Sequence, residues 1–320
     1  MTAHLLAITI AYVLDYIWGD PKGRAHPVVW MGSMIALITS KCNKGRFRKG
    51  KGMIMTISVV VTVFAVAYAA VLFSYRWSTL AGVLVEGMLI WTTIAEKGLR
   101  QAANAVYEPL SNNQMEQART KLSEIVGRDT HYLNEEGIVR GAVETVAENI
   151  SDGVTAPLLF AFLGGAPLAA AYRAVNTCDS MVGYRQEPFT QFGWASARLD
   201  DIVNVIPSRL TAIVMIFVSS SVYCSKMEVL CNLPKEAVQH PSPNSGWGEA
   251  AAALLLGVQL GGVNYYFGEK SNRPTIGIPR TKLKASHIPS MNTLLQRTVF
   301  CWIILLWIGG GIRALAISWS

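Results

Sequence analysis

Residues 128–201 read RDTHYLNEEGIVRGAVETVAENISDG (128–153), VTAPLLFAFLGGAPLAAAYRAV (154–175) and NTCDSMVGYRQEPFTQFGWASARLDD (176–201). An apolar segment is enclosed by two strings rich in acids and amides. Glu144, Glu148 and Asp152 precede it, Asp179, Asp200 and Asp201 follow it, and Arg140, Arg173, Arg185 and Arg198 lie among them. Polar groups next to membrane-grade sequence are costly and persist where they have a task. Gly164-Gly165-Ala166-Pro167 interrupts the apolar segment at its middle, where a helix breaks. The predicted form of 154–175 is therefore a re-entrant hairpin, which is tolerated when its irregular backbone is buried in protein. Both acid strings then return to the same side of the bilayer.

Composition sets the frame around this stretch. The chain has 320 residues, 51% of them hydrophobic and 15% charged, with a mean hydropathy of +0.32. A soluble domain carries about 25% charged residues, so the fold class is all-α, a polytopic integral membrane protein with a polar helical cytoplasmic insert. The net charge is +7 and the pI about 9.2. No zinc-finger, RRM or KH pattern accompanies this basic excess, and nucleic acid is not expected as a partner. The Lys and Arg residues instead sit beside apolar runs, as in loops facing a negative lipid surface. The five cysteines form no CxxC pair and read as small buried thiols. The N-terminus lacks a basic n-region and reads as a retained helix, not a signal peptide.

Apolar segments are predicted at 3–18, 53–73, 77–95, 205–224, 250–267 and 298–317. Glu86 interrupts the third and is either a functional group or a hydrogen-bonded structural one. Segment 250–267 is rich in small residues suited to close helix packing. Residues 96–152 are polar with helical periodicity, broken near Pro109 and 111–113 into a hairpin and followed by a helix from Asn134 to Ile150. The division expected is 1–95, N-terminal transmembrane helices with a basic loop at 41–51; 96–153, the polar insert; and 154–320, a membrane domain with the broken helix and C-terminal spans. With the basic loops 41–51 and 270–284 cytoplasmic, this topology puts HPSPNSG (240–246) outside, away from the insert.

No Walker loop, GxGxxG turn, GxSxG elbow or HExxH pair is present. What remains is an oxygen-donor constellation: Asp20, Glu144, Glu148, Asn149, Asp152, Asn176, Asp179, Asp200 and Asp201. Such donors suit Mg²⁺, which is held by one or two carboxylates plus substrate phosphates. Arg128, Arg173, Arg185, Arg198 and Arg209 offer forks for phosphate or carboxylate. Together these suggest phosphoryl or acyl-phosphate chemistry. On the helix before Asp152, Arg140, Glu144 and Glu148 at i, i+4 spacing read equally well as a solvated salt-bridge face. His26 and His240, each preceding a proline, read as structural hydrogen-bonders or substrate contacts.

GDP-x4-HPV (19–28), GRDT (127–130), ETVAENISDG (144–153), NTCDSMVGY (176–184), ARLDD with a following P-x-R (197–209) and HPSPNSG (240–246) resemble the adenosylcobinamide-phosphate synthase family of cobalamin biosynthesis. The resemblance runs in order from about residue 10 to 280. Cys178 stands where the family usually has leucine, and Trp247-Gly248-Glu249 where an aromatic-Pro-Glu is usual. The resemblance implies a multi-pass enzyme of the cell membrane, active site toward the cytoplasm, that joins aminopropanol phosphate to adenosylcobyric acid with ATP as co-substrate and Mg²⁺. It allows other corrinoid-pathway enzymes as partners beside the lipid bilayer. The roles expected are catalytic for Glu144, Glu148, Asp152 and Asp179; substrate-binding for Asp20, His26, Arg128, Asn149, Asn176, Arg185, Arg198 and His240; and metal-binding for Asp152, Asp200 and Asp201. The competing classes are a membrane transporter and a non-catalytic membrane subunit of a corrinoid-pathway complex.

Overall fold

The computed structural model describes residues 2–21, 23, 26–184, 186–266 and 268–318. In chain order the elements are α1 (Thr2–Trp18), α2 (Pro27–Cys42), α3 (Arg48–Trp77), α4 (Thr79–Trp91), α5 (Glu96–Ser111), α6 (Met115–Ser123), α7 (Glu135–Ile150), a π turn (Ser151–Thr155), α8 (Ala156–Val182), α9 (Trp194–Val203), α10 (Val205–Val218), α11 (Lys226–Ala237), α12 (Ser245–Leu256), β1 (Leu260–Tyr266), β2 (Glu269–Ile276) and α13 (His287–Ser318). The fold is all-α and polytopic, with four helical stretches long and apolar enough to cross a membrane: Arg48–Trp77, Thr79–Ser111, Glu135–Val182 and His287–Ile312.

The chain divides into two compact units. The first comprises Met1–Ala95, Asp152–Asn204 and Ile303–Ser320; the second Glu96–Ser151 and Val205–Trp302. The polar insert is thus not a unit of its own but belongs with 205–302.

In the first unit, α3 is about 45 Å long at 1.5 Å per residue, enough to cross the hydrocarbon layer. Its outward face carries Ile54, Ile57, Val61, Val66 and Phe73. Its inner face joins a core of Met31, Ile35, Met55, Val59, Ala174, Cys178, Val182 and Phe192. The atypical Cys178 is fully buried in that core.

Within α8 the chain turns back at the glycine pair. Gly164 (φ −152°, ψ 27°) and Gly165 (φ +69°, ψ −166°) leave the helical region. A straight helix would put Asp152 and Tyr172 about 30 Å apart. Instead the Tyr172 hydroxyl lies 3.3 Å from the Asp152 carbonyl, and the Phe160 and Tyr172 rings stack at 5.0 Å. Glu86, fully buried on α4, holds this turn. Its carboxyl accepts the Ala166 N–H at 3.2 Å and the Tyr75 hydroxyl at 2.7 Å, and lies 2.6 Å from His4 Nδ1. Of the two readings of Glu86, the hydrogen-bonded structural one is what the geometry supports.

In the second unit, α5 buries Ala103, Val106 and Leu110 and is followed by α6 after the break expected near 111–113. The α7 helix begins as predicted, with the Asn134 side chain accepting from the Gly137 N–H at 3.0 Å. Two predicted spans need correction. Segment 250–267 is not a span. The α12 helix stops at Gly257 (φ +65°), and β1 then pairs antiparallel with β2, so part of the basic loop 270–284 is a strand. Gly261 and Gly262, both at φ +81°, form the irregular start of the hairpin. Small residues read as helix packing serve here as a helix C-cap and a strand irregularity. Segment 205–224 holds only the 14-residue α10, about 21 Å long and short of a full crossing by itself. The helix meets α9 at a 46° bend, and the pair together passes as one broken span or re-entrant loop.

Candidate functional site

Reversal at Gly165 assembles a polar cluster in the first unit. Tyr172, 2% exposed, donates to Asn204 Oδ1 at 2.8 Å. The Asn204 amide, fully buried, donates to Asp200 Oδ2 at 3.0 Å, and the Asn176 amide reaches Asp200 Oδ1 at 3.5 Å. Asn176 in turn accepts from Arg173 at 3.3 Å. Asp152 and Asp200 both act electrostatically on Tyr172. Residues 20 and 32 positions from Tyr172 thus meet around its phenol, and Asp152, Asn176 and Asp200 lie in one cluster.

Asp179 is half-buried one turn further along α8, its carbonyl accepting the Gly183 N–H at 2.7 Å. Asp201 pairs instead with the exposed Arg198 at 3.5 Å. Arg185 lies outside the described residues. Asp20 lies 2.9 Å from His26 Nε2, while His26 Nδ1 caps α2 by accepting the Val28 N–H at 3.2 Å. His26 Nδ1 is therefore engaged in the cap, while Nε2 is within ion-pair distance of Asp20 without a formed hydrogen bond.

No group of three His, Cys, Asp or Glu side chains suited to a metal ion occurs among the described residues. Asp152 and Asp200 still fit Mg²⁺, because that ion needs only one or two carboxylates when phosphate oxygens complete its shell. The neighbouring amides and phenol are hard oxygen and nitrogen groups, with no soft donor to favour zinc.

The second unit holds another cluster. Glu144, 5% exposed, pairs with Arg128, which is equally enclosed. Glu144 Oε1 also accepts the Gly261 N–H at 2.8 Å, and Arg128 Nη1 donates to Asn264 Oδ1 at 2.9 Å. Burial works against the Arg128 charge, but Glu144 more than offsets this and holds the guanidinium above its usual pKa. Both Arg128 amino groups are thus occupied by protein. Arg140 anchors the same strand, donating to the Val263 carbonyl at 2.8 Å and Asn264 Oδ1 at 3.2 Å. Asn149 donates back to the Thr145 carbonyl at 2.9 Å within α7.

The HPSPNSG loop lies beside this helix, not away from it. Ser245 Oγ donates to Glu148 Oε1 at 2.8 Å, and a side chain at Gly248 would approach the Ala147 carbonyl to 2.5 Å. The topology that separated this loop from the acid string is corrected by the loss of the 250–267 span. His240 Nδ1 accepts the Ser242 N–H at 3.0 Å, and its Nε2 lies 3.4 Å from Glu249. Burial lowers the His240 pKa and keeps the ring neutral. Burial, reinforced by Glu144 and Glu148, raises the Glu249 pKa well above the usual carboxylate range. Arg209 stacks over Trp247 at 4.7 Å and donates to Asn244 at 3.2 Å.

A family model described as CobD/Cbib protein matches residues 8–295. The chain belongs to the CobD/CbiB family. It is 48% identical over 312 residues to the cobalamin biosynthesis protein CobD of Halalkalibacterium halodurans, covering 97% of this chain and 98% of that one. It is 41% identical to the CobD of Clostridium perfringens over 94% of this chain and 96% of that one. It is 44% identical to the cobalamin biosynthesis protein CbiB of Salmonella paratyphi B, over 85% and 87% respectively. No solved structure matches. Membership in the CobD/CbiB family assigns the chain to cobalamin biosynthesis.

Tyr172, Asn204 and Asn264 escape sequence reasoning, and Glu249 figures there only in the Trp247-Gly248-Glu249 string, with no site role. Glu249 lies three residues past HPSPNSG, and Asn204 three past ARLDD, so proximity to the family strings was the available signal. Tyr172 and Asn264 sit inside apolar runs and carried none.

Proposed function

We propose that this CobD/CbiB protein is an ATP- and Mg²⁺-dependent ligase of the cell membrane that joins aminopropanol phosphate to adenosylcobyric acid, giving adenosylcobinamide phosphate. The observation that carries the reading is the reversal at Gly165, which collects carboxylates and amides from three separate family strings around Tyr172. A transporter has no need of such a set.

A carboxylate is a poor electrophile, so the reaction begins with transfer of the terminal phosphoryl group of ATP to a propionate oxygen, releasing ADP. The amine nitrogen then attacks the acyl carbon, the bond to phosphate oxygen breaks, and inorganic phosphate leaves. Mg²⁺ would neutralise charge on the transferring phosphoryl group. Asp152 and Asp200 would hold it, with Asn176 and Asn204 fixing the Asp200 carboxylate. Asp179 and Arg198 would contact substrate nearby on the same unit. The amine proton passes to a positioned base. Within the second unit, Glu148 is more open to a substrate proton than Glu144, because Ser245 is its one side-chain hydrogen-bond partner among the described residues, whereas both Glu144 oxygens are occupied. His240, in that same second unit and oriented by Ser242, would accept a substrate hydrogen bond.

The test is turnover. Purified protein with ATP, Mg²⁺, adenosylcobyric acid and aminopropanol phosphate is expected to form adenosylcobinamide phosphate and ADP in equal amounts, read by chromatography. Folded protein that yields neither product would return the chain to the non-catalytic subunit reading.

A further inference from the structure

A cavity of about 610 Å³ opens in the second unit between the start of α7, β1 and residues 279–283. Its volume falls within the range of small-molecule sites. Tyr132 and Tyr265 supply aromatic walls, Gln259 an amide, Glu136 a carboxylate, and Arg140 and Lys282 two cations. None of these was singled out as a site residue by the motifs.

Arg140 is what makes the cavity more than a dent. One amino group is tied to Val263 and Asn264, which fixes the guanidinium plane. Its Nε is buried and has no hydrogen-bond partner among the described residues, with Glu144 4.0 Å away. Arg140 thus lines the cavity with its guanidinium held in place but incompletely hydrogen-bonded among the described residues. The guanidinium fork fits phosphate oxygens, and a lysine ammonium adds a point charge. Lys282 is exposed and forms no ion pair among the described residues. Glu136 lies one turn before Arg140 on α7, where it would receive an ammonium.

We propose that this cavity binds the phosphate group of a phosphorylated substrate, through Arg140 and Lys282. The naming of the substrate rests on the ligase reading: it is the amino-alcohol phosphate or the nucleotide. The pairing of two cations with Glu136 matches a phosphate ester that also carries an ammonium.

Binding to the detergent-solubilised full chain is measured by calorimetry with three probes: inorganic phosphate, aminopropanol phosphate and a non-hydrolysable ATP analogue. K282E is the chief variant, since an exposed lysine can change sign without unfolding the protein; R140K, which keeps the charge but loses the fork, is the second. At least tenfold weaker binding of one organic probe in both variants is expected, and the probe affected identifies the source of the phosphate. If only inorganic phosphate binds, and K282E abolishes it, the subsite stands and the ligase reading fails. Equal binding of every probe by wild type and both variants would overturn the subsite while leaving the ligase reading intact. Wild-type protein that binds none of the three would also overturn it.

Discussion

Replacing Gly165 by alanine tests whether the reversal of α8 is built as described. Gly165 sits at φ +69°, ψ −166°, a region essentially restricted to glycine, where an L-residue carries strain of about 1–3 kcal/mol. A Cβ there would also run into the Glu86 carboxyl and approach His4 Cε1 to 3.1 Å. Glu86 would have to move, loosening its bonds to Ala166 and Tyr75; each buried group left unsatisfied costs about 1–3 kcal/mol. The sum is roughly 3–9 kcal/mol, a large part of a total stability of about 5–15 kcal/mol. At roughly 2–4 °C per kcal/mol for units of this size, the thermal midpoint in detergent should fall by at least about 6 °C. Gly164→Ala is the control: its Cβ meets only the flexible Leu168 side chain, and its φ of −152° is open to alanine. Adding Glu86→Ala removes the obstacle, so the double variant should lose less than the sum of the two single losses. A Gly165→Ala protein no less stable than Gly164→Ala would refute the reasoning, and with it the account of how Asp152 comes to face Tyr172.

Three further outcomes are expected. Glu148→Gln and Asp152→Asn should each reduce amide formation by at least about a hundredfold, the scale of general acid–base contributions, while the protein still inserts and folds; wild-type turnover would return that helix to a solvated salt-bridge face. Turnover should require Mg²⁺ or Mn²⁺ and vanish in chelator, and full activity in chelator would remove the metal from the mechanism. Glu249, whose folded-state pKa lies above an unfolded value near 4.3, takes up a proton on folding between those two values, so it lowers stability as pH rises through that window. Glu249→Gln should therefore be as stable as wild type near pH 4 and more stable near pH 7, as thermal midpoints across pH would reveal; a loss of stability near pH 7 would mean the carboxylate is needed ionised.

Much of this molecule is legible along the chain. The apolar run of α3, the glycine break at 164–165, the Asn134 cap of α7 and the break after α5 are each set by residues close in sequence, because helix length, capping and interruption depend on local backbone chemistry. The family strings are local too, and they carried the pathway assignment. What the tertiary structure decided is which of these local pieces meet. Segment 250–267 has the small residues of a packed helix, but Gly257, Gly261 and Gly262 take positive φ angles and turn it into a hairpin whose Asn264 bridges two arginines. That pairing requires partners more than a hundred residues away, which no periodicity encodes. The same holds for Arg128, which as a sequence element offers a free fork for phosphate and in the fold is consumed by Glu144 and Asn264. Arg140, one helix turn before Glu144, instead retains a buried Nε with no hydrogen-bond partner among the described residues. A charge declares itself in the sequence, whereas its remaining hydrogen-bonding capacity exists only after the chain has folded around it.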